Sequence, residues 1–427
     1  MSLTYKKNIE CLGEFDVAVT GGGVAGVAAA VSAARLGKKV LIIEKSIKLG
    51  GLATLGLVNF FVPMCNGRGK QIIFGMAEEF LRLSIKHSYN TLPKEFKNGK
   101  IPEKILNEYK ENGEVPPRYM TSFSAEIFAL TLTELCNGLG ITLYFDTVVC
   151  DVIKDEKGNL SSVVVNNKSG FGYFKAKQFI DASGDADLIN FAEIPTMERG
   201  NFHTYYGFKI TLDSCRKAVE KQNIGMATSW INGGTSNLYG GGHPKEVPLY
   251  FGSLGKDVNR YVVDNQLEML EKVKTFDKNQ TDVVTLPGMP QFRTTRCIEG
   301  EYVLKEEDAY RHFDNSVGAI CDFDRRDFLF EIPYGTMIKK GNGNIIAAGR
   351  TVAGEGYAWD VLRVIPPAII TGQAAGIAAS HAIDENKPIW DIDIKKLQAE
   401  LKKQNVVIHF DDDDVPEVSE NICEYND

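Results

Sequence analysis

Gly21, Gly23 and Gly26 stand at GxGxxG spacing in the run Phe15-Asp-Val-Ala-Val-Thr-Gly-Gly-Gly-Val-Ala-Gly. That pattern suits the binding of a dinucleotide pyrophosphate. Glycines there let backbone N–H groups approach the phosphates, and a helix opening at Val24 and Ala25 turns the positive end of its dipole toward them. Glu44, with Lys45 beside it, follows a second apolar run and lies 18 residues beyond Gly26, where a carboxylate accepts hydrogen bonds from ribose hydroxyls. A glycine-rich turn alone can serve only to pack a helix on a strand. With strand, helix, second strand and acid in place, the combination reads as a nucleotide site.

Other residues carry chemistry without a diagnostic spacing. Arg293 and Arg296 lie close together after Pro287-Gly-Met-Pro290 and suit bidentate carboxylate binding, or else they pair with acids such as Glu299 and Glu301 or brace the cofactor's surroundings. Arg363 has the same two readings. His203, Tyr206, His312 and Tyr357 have proton-transfer chemistry, although Tyr and His are also ordinary core residues. Cys65 offers a thiol or a tether, or is an inert cysteine. The eight cysteines contain no CxxC pair, so no metal site is expected.

A chain of 427 residues is long enough for two packed domains and a buried cofactor. The net charge of −8 resides in the stretch from Asp411 to Asp427, which holds eight acids and no Lys or Arg; the rest is formally neutral. This gives no electrostatic surface for nucleic acid. The apolar stretch Val17 to Leu36 carries Asp16, Arg35 and four glycines, which marks a buried strand and helix rather than a membrane span. No signal peptide is evident, so free thiols, a soluble protein and a cytoplasmic location are expected.

Strand, helix and strand open the chain. Helical spacing returns over Gln71 to Ser88, a polar excursion runs from Tyr89 to Pro117, and a helix spans Ser124 to Leu139. Short β-rich runs between Thr142 and Ala176 form a meander inserted into the nucleotide-binding domain, followed by a return strand, Gln178-Phe-Ile-Asp, that ends at Ser183-Gly184. A helical run covers Val262 to Thr275, and a strand, Asn344 to Ala348, precedes a helix over Pro366 to Ala382. The fold class is α/β: a Rossmann-like nucleotide-binding domain with an inserted β-meander, plus a mixed α+β substrate domain. Its parts are residues 1–193, a cap at 194–324, a return segment at 325–404 and an acidic, solvated tail at 405–427.

Several motifs together resemble the FAD-dependent oxidoreductase family with a two-dinucleotide-fold FAD domain, distantly similar to fumarate reductase and succinate dehydrogenase flavoproteins. They are Gly21-x-Gly23-x-x-Gly26 with Glu44 and Gly50-Gly51; Phe179-Ile-Asp-Ala-Ser-Gly-Asp-Ala-Asp; Arg293-Thr-Thr-Arg296 through Leu304; Ile332-Pro-Tyr334; Asn344 to Arg350; and Arg363-Val-Ile-Pro366 leading to Gly372-Gln-Ala-Ala-Gly376. The resemblance implies non-covalent FAD. Its contacts would be Gly21, Gly23, Val24, Ala25, Gly26, Glu44, Lys45, Gly50, Gly51, Leu52, Ala53, Thr54, Ala182, Ser183, Gly184, Asp187, Gly349, Arg350, Arg363 and Pro366, with Val148 or Val149 holding the adenine through backbone atoms. A helix opening near Pro366 directs its dipole at the flavin, where charge accumulates on reduction.

The expected activity is hydride transfer between flavin N5 and a small organic substrate, carboxylated if the arginines bind it. The alternatives are an electron-transfer subunit serving a partner protein and a nicotinamide dehydrogenase. There is no second GxGxxG between a strand and a helix, and Gly240-Gly-Gly242-His lacks a preceding apolar strand. The electron donor or acceptor therefore stays open, and a homo-oligomer is the base expectation.

Overall fold

The computed structural model describes residues 6–96, 101–237 and 240–415. β1 (Glu10–Thr20), α1 (Val24–Arg35) and β2 (Val40–Ile43) form the opening unit. β1 and β2 run parallel in the register Val17↔Val40 to Thr20↔Ile43, so the glycine turn and Glu44 emerge side by side at the carboxyl edge of the sheet. Gly21 N–H donates to Ile43 O at 2.8 Å and fixes that alignment. Ligands of open parallel sheets bind at this edge.

The next stretch holds β3 (Phe60–Phe61), α2 (Met76–Ile85), α3 (Glu103–Glu111), β4 (Thr121–Ser122) and α4 (Ala125–Gly138). The polar excursion thus contains a helix. α3 buries none of its residues, so it lacks the continuous apolar stripe that would announce it in the sequence. Ser124 caps α4, its hydroxyl accepting from Ile127 N–H.

β5 (Thr142–Tyr144), β6 (Val148–Lys154), β7 (Leu160–Asn167) and β8 (Gly170–Asp181) follow. The last meander strand and the return strand are one continuous β8, since Lys175-Ala-Lys177 supplies no turn residue to break it. β8 pairs parallel with β1 from Glu10↔Gly172 to Thr20↔Asp181, and its first part pairs antiparallel with β7. The described sheet runs β5-β2-β1-β8-β7-β6.

α5 (Asp187–Phe191), β9 (Thr196–Glu198), β10 (Tyr206–Thr211), α6 (Leu212–Glu220), β11 (Thr228–Asn232), α7 (Gly255–Lys274), β12 (Thr281–Thr285) and β13 (Arg296–Ile298) follow, all but α5 within the 194–324 stretch expected as the cap. Its sheet, β11-β10-β12, covers a separate aromatic core of Tyr205, Tyr250, Tyr261, Met269 and Phe292. β9 pairs with β13 and ties the cap's two ends together.

β14 (Ser316–Cys321) and β15 (Leu329–Pro333) make a hairpin; β16 (Ile345–Ala347) then joins β8 in parallel. α8 (Gly356–Leu362), α9 (Ile365–Glu385) and α10 (Ile394–Lys403) close the fold. α9 is buried almost throughout and lies on α1, where Gly372 and Gly376 meet the backbones of Ala25 and Ala29. No single described helix is long and apolar enough to cross a membrane; α8 and α9 pass that test only as a pair bent by 75°.

The acidic run expected as a solvated tail is ordered through Val415. Val406, Ile408 and Phe410 are buried, Ser316 Oγ donates to Ile408 O at 2.7 Å, and Lys70 pairs with Asp414 at 2.8 Å. Alternating apolar residues ahead of the aspartates pull them onto the surface. Residues 416–427 of that tail lie outside the described residues.

Candidate cofactor cleft and adjoining arginine cluster

The dispersed motifs converge at the carboxyl edge of the main sheet. Gly21, at φ +96°, lies so close to Ala182 that an added Cβ would stand 2.4 Å from Ala182 O, and a Cβ on Gly26 would stand 1.9 Å from Gly21 O. Only glycine keeps the turn folded back on the start of α1. Gly50 N–H donates to Gly22 O at 2.8 Å, and a Cβ on Gly51 would sit 3.1 Å from Gly23 Cα, so the two glycine pairs form one side-chain-free wall. Leu52 and Ala53 continue it in a short 3-10 turn, and Thr54 Oγ1 ties its end to Leu49 O at 2.7 Å.

No side chain caps Gly23 at the head of α1, which leaves first-turn N–H groups for an anion. Glu44 is buried, with Gly22 N–H at 2.6 Å and Ser46 N–H at 2.8 Å on its two oxygens. Thr147 N–H donates to Glu44 O at 3.1 Å and sets Val148, which is exposed, and Val149 beside that acid. Lys45 reaches Asp185 at 3.7 Å.

Gly349 packs on the same head of α1, where an added Cβ would stand 2.7 Å from that of Ala25, and its N–H donates to Thr371 Oγ1 at 2.9 Å. α9 begins there with Pro366 in its first turn and no side-chain cap. The edge therefore gathers glycine backbone and two uncapped helix N-termini, which fits a dinucleotide cofactor carrying a ring that gains negative charge.

The arginines divide sharply. Arg350 spends its guanidinium on Gly184 O, Phe292 O and Asp185, the last at 2.8 Å, so it joins the sheet to the cap rather than reaching out. Arg296 donates to Asp185 O at 2.9 Å and to Asp187 at 3.0 Å. It braces the Ser183–Asp187 loop, the alternative to carboxylate binding. Arg363 is held by Asp360, 2.9 Å from Nε and 2.6 Å from Nη2, and Asp360 also takes Arg199 at 2.6 Å. Burial works against the Asp360 charge, yet Arg363 and Arg199 hold that carboxyl below its ordinary range.

Arg293 differs. Among the described residues it has no carboxylate partner, and its guanidinium makes one hydrogen bond, to Gln291 O at 3.3 Å. Burial first, then the fields of Arg363 and Arg350, pull it down to about 10. Tyr206 is half-buried beside it, its backbone clasped by Gln291, which also donates to Gly56 O. Arg293 thus stands where the cap segment meets the chain running on from Gly50-Gly51.

Burial pushes the Asp187 carboxyl up to about 6, helped by Asp185 and Asp181 and opposed by Lys45 and Arg296. The proton-transfer candidates scatter. His203 lies in the cap with its Nε2 buried and unpartnered. Tyr357 donates to Asp322 at 2.7 Å and stacks on Phe323. His312 is bonded to Glu331 and Asp412, partners that among the described residues share no hydrogen bond with the glycine turns. Cys65 is fully buried, and burial raises its thiol above the ordinary range. Sequence reasoning misses Arg199, Asp185 and Thr371 as positioning residues. Asp185 lies within the quoted acidic motif, whereas Arg199 carries no local signal.

The family model for FAD dependent oxidoreductases matches residues 16–222 and 255–401. No curated protein matches the sequence. Similar solved structures include a geranylgeranyl bacteriochlorophyll reductase-like protein from Thermoplasma acidophilum (13% identity, 93% of this chain and 85% of that one, TM-score 0.44). Others are p-nitrophenol 4-monooxygenase from Pseudomonas putida (12% identity, 91% and 83%, TM-score 0.45) and a flavoprotein/dehydrogenase from Cytophaga hutchinsonii (13% identity, 91% and 82%, TM-score 0.43).

Proposed function

The chain belongs to the FAD-dependent oxidoreductase family, an enzyme family whose cofactor is FAD, and from that premise we propose that it transfers a hydride between flavin N5 and a small carboxylated substrate. FAD as the cofactor removes the nicotinamide dehydrogenase alternative. When bound, FAD supplies a ring that accepts or releases a hydride. The Gly21–Gly26 turn and the head of α1 would take its pyrophosphate, Glu44 its ribose, and the head of α9 would face the ring.

Arg293 carries the proposal for the substrate. A half-buried guanidinium with no acid partner, set among other arginines, is costly unless an anion completes it. A substrate carboxylate does so with charge-assisted hydrogen bonds, and the junction of two packed units is where such ligands lodge. Tyr206 beside it can orient or protonate the bound molecule. The test is Arg293→Gln with FAD content measured alongside. Losing charge-assisted bonds of about 1.5–3 kcal/mol raises KM roughly 10- to 150-fold while FAD stays bound. An unchanged KM for every carboxylated substrate that wild type turns over would remove Arg293 from the site.

One observation favours the electron-transfer reading as a second. Exposed large apolar side chains concentrate on the cap, among them Trp230, Val284 and Leu286 beside the small sheet and Val263, Leu267 and Leu270 on α7. Rapid turnover by the isolated chain with a diffusible electron acceptor would count against that reading.

A further inference from the structure

His312, Glu331 and His409 meet from three distant segments: the loop before β14, β15 itself, and the stretch after α10. The Glu331 side chain is wholly buried, while the imidazoles keep 40% and 39% of their exposure. His312 Nδ1 lies 2.6 Å from Glu331 Oε1, and His409 Nδ1 lies 3.0 Å from Oε2. Phe313 N–H donates to that same Oε2 at 2.7 Å. On its far side His312 Nε2 is 2.9 Å from Asp412 Oδ1.

These contacts cannot all be satisfied by neutral rings. A neutral imidazole has one N–H and one lone pair. When Nε2–H serves Asp412, the Nδ1 of His312 turns its lone pair toward a carboxylate oxygen that also accepts. Two acceptors then face one another across 2.6 Å; a proton between them resolves the contact, and so does a metal that draws the two atoms apart to its own ligand spacing. A histidine whose outer nitrogen is fixed by a carboxylate, with its inner nitrogen facing a second histidine and an acid, has the second-shell arrangement of a metal ligand.

We propose that His312 Nδ1, His409 Nδ1 and the Glu331 carboxylate bind a divalent transition-metal cation of the zinc type, with Asp412 orienting His312. Two imidazoles and a carboxylate are a donor set that suits Zn²⁺. Bonds of about 2.0–2.2 Å place tetrahedral ligand atoms roughly 3.3 Å apart. The ligand atoms already lie within 4.8 Å of one another. Turning the two half-exposed rings by about an ångström completes the set and leaves a fourth position for water.

The cation would neutralise a wholly buried carboxylate and staple the segment through Phe410 to the β14–β15 hairpin, which packs against α9 and α10. Its role is structural, since the cluster shares no hydrogen bond with the nucleotide cleft among the described residues. Sequence spacing could not announce the site, because no two of its ligands are local in sequence.

The experiment uses tag-free, FAD-loaded protein stripped with a chelator and titrated with Co²⁺, then with Zn²⁺. The proposal expects one equivalent of Co²⁺ with a ligand-field band beyond the flavin absorption, its displacement by Zn²⁺, and a higher melting temperature with metal. His409→Gln and His312→Gln should each weaken binding at least about tenfold while retaining FAD, and Asp412→Asn should weaken it less. FAD content guards against misfolding. Absence of binding at millimolar Co²⁺, or equal binding by wild type and His409→Gln, overturns the proposal. A melting temperature that responds to pH but not to metal would mean that a proton alone fills the gap, which also overturns it.

Discussion

Replacing Gly376 by Ala tests the close approach of α1 and α9 beside the candidate cofactor site. Two effects compete. Alanine is the better helix former by about 1 kcal/mol in a helix interior, so the change would stabilise α9 if space allowed. An added Cβ, however, would stand 2.1 Å from Ala29 O, well under the 3.0 Å that real Cβ atoms respect. The obstacle is a backbone carbonyl of α1, a helix buried along most of its length, and it cannot rotate aside as a flexible side chain would. The helices must part by about an ångström, and overpacking of this kind costs about 1–3 kcal/mol, here at the upper end. The net loss is about 2 kcal/mol, which in a chain this long lowers Tm by roughly 2–4 °C. Gly138 is the control. It ends α4 with nothing within 4 Å of an added Cβ, so Gly138→Ala should leave Tm level or raise it slightly. Gly372→Ala adds a functional readout, because its Cβ would stand 2.2 Å from Ala25 O in the first turn of α1. That variant should lose FAD on gel filtration, whereas Gly376→Ala, one turn farther along, retains it. Thermal melts and released-flavin absorbance on the three variants decide the matter. A Gly376→Ala protein as stable as wild type, or a Gly138→Ala protein that falls equally far, would refute the reasoning.

Asp187 predicts a pH dependence with a definite sign. Its folded pKa of about 6 exceeds the unfolded value of about 3.9, so the folded state keeps a proton the unfolded chain has released, and stability falls as pH rises through that window. The side chain is 39% exposed, and screening limits the effect to about 1 kcal/mol. Asp187→Asn should match wild type near pH 4 and exceed it at pH 7 in thermal melts; a less stable variant at pH 7 would mean that the Arg296 pair outweighs burial. Asp360→Asn removes the acid shared by Arg199 and Arg363, and breaking so buried a pair costs about 3 kcal/mol or more. Its Tm should fall, since Arg199 and Arg363 lose their shared acid; a Tm level with wild type would mean that the pair contributes little to the fold.

The cleft is legible in the sequence because each of its parts is local. A glycine triplet, an acid after the second strand, a glycine pair and a small-residue helix each carry their reason within a few positions, and the sheet register then brings them to one edge. The arginines are not legible in that way. Arg293, Arg296 and Arg363 are the same residue in similar company, and what separates them is where the acids come to lie. Arg296 is claimed by Asp187, which is 109 residues away, and Arg363 by Asp360, which is three residues away. Only the second pairing can be read as a helical neighbour; the first exists only because β13 packs beside the loop that follows β8. The continuity of β8 and the order of residues 405–415 have the same origin, in partners supplied by β1 and by the β14–β15 hairpin rather than by neighbours in sequence. Charge balance is therefore the step at which the fold adds chemical information. Local patterning offers three guanidiniums for a ligand, and the fold gives two of them acid partners, Asp187 for Arg296 and Asp360 for Arg363. The cation left over is the one with reason to be there for a ligand.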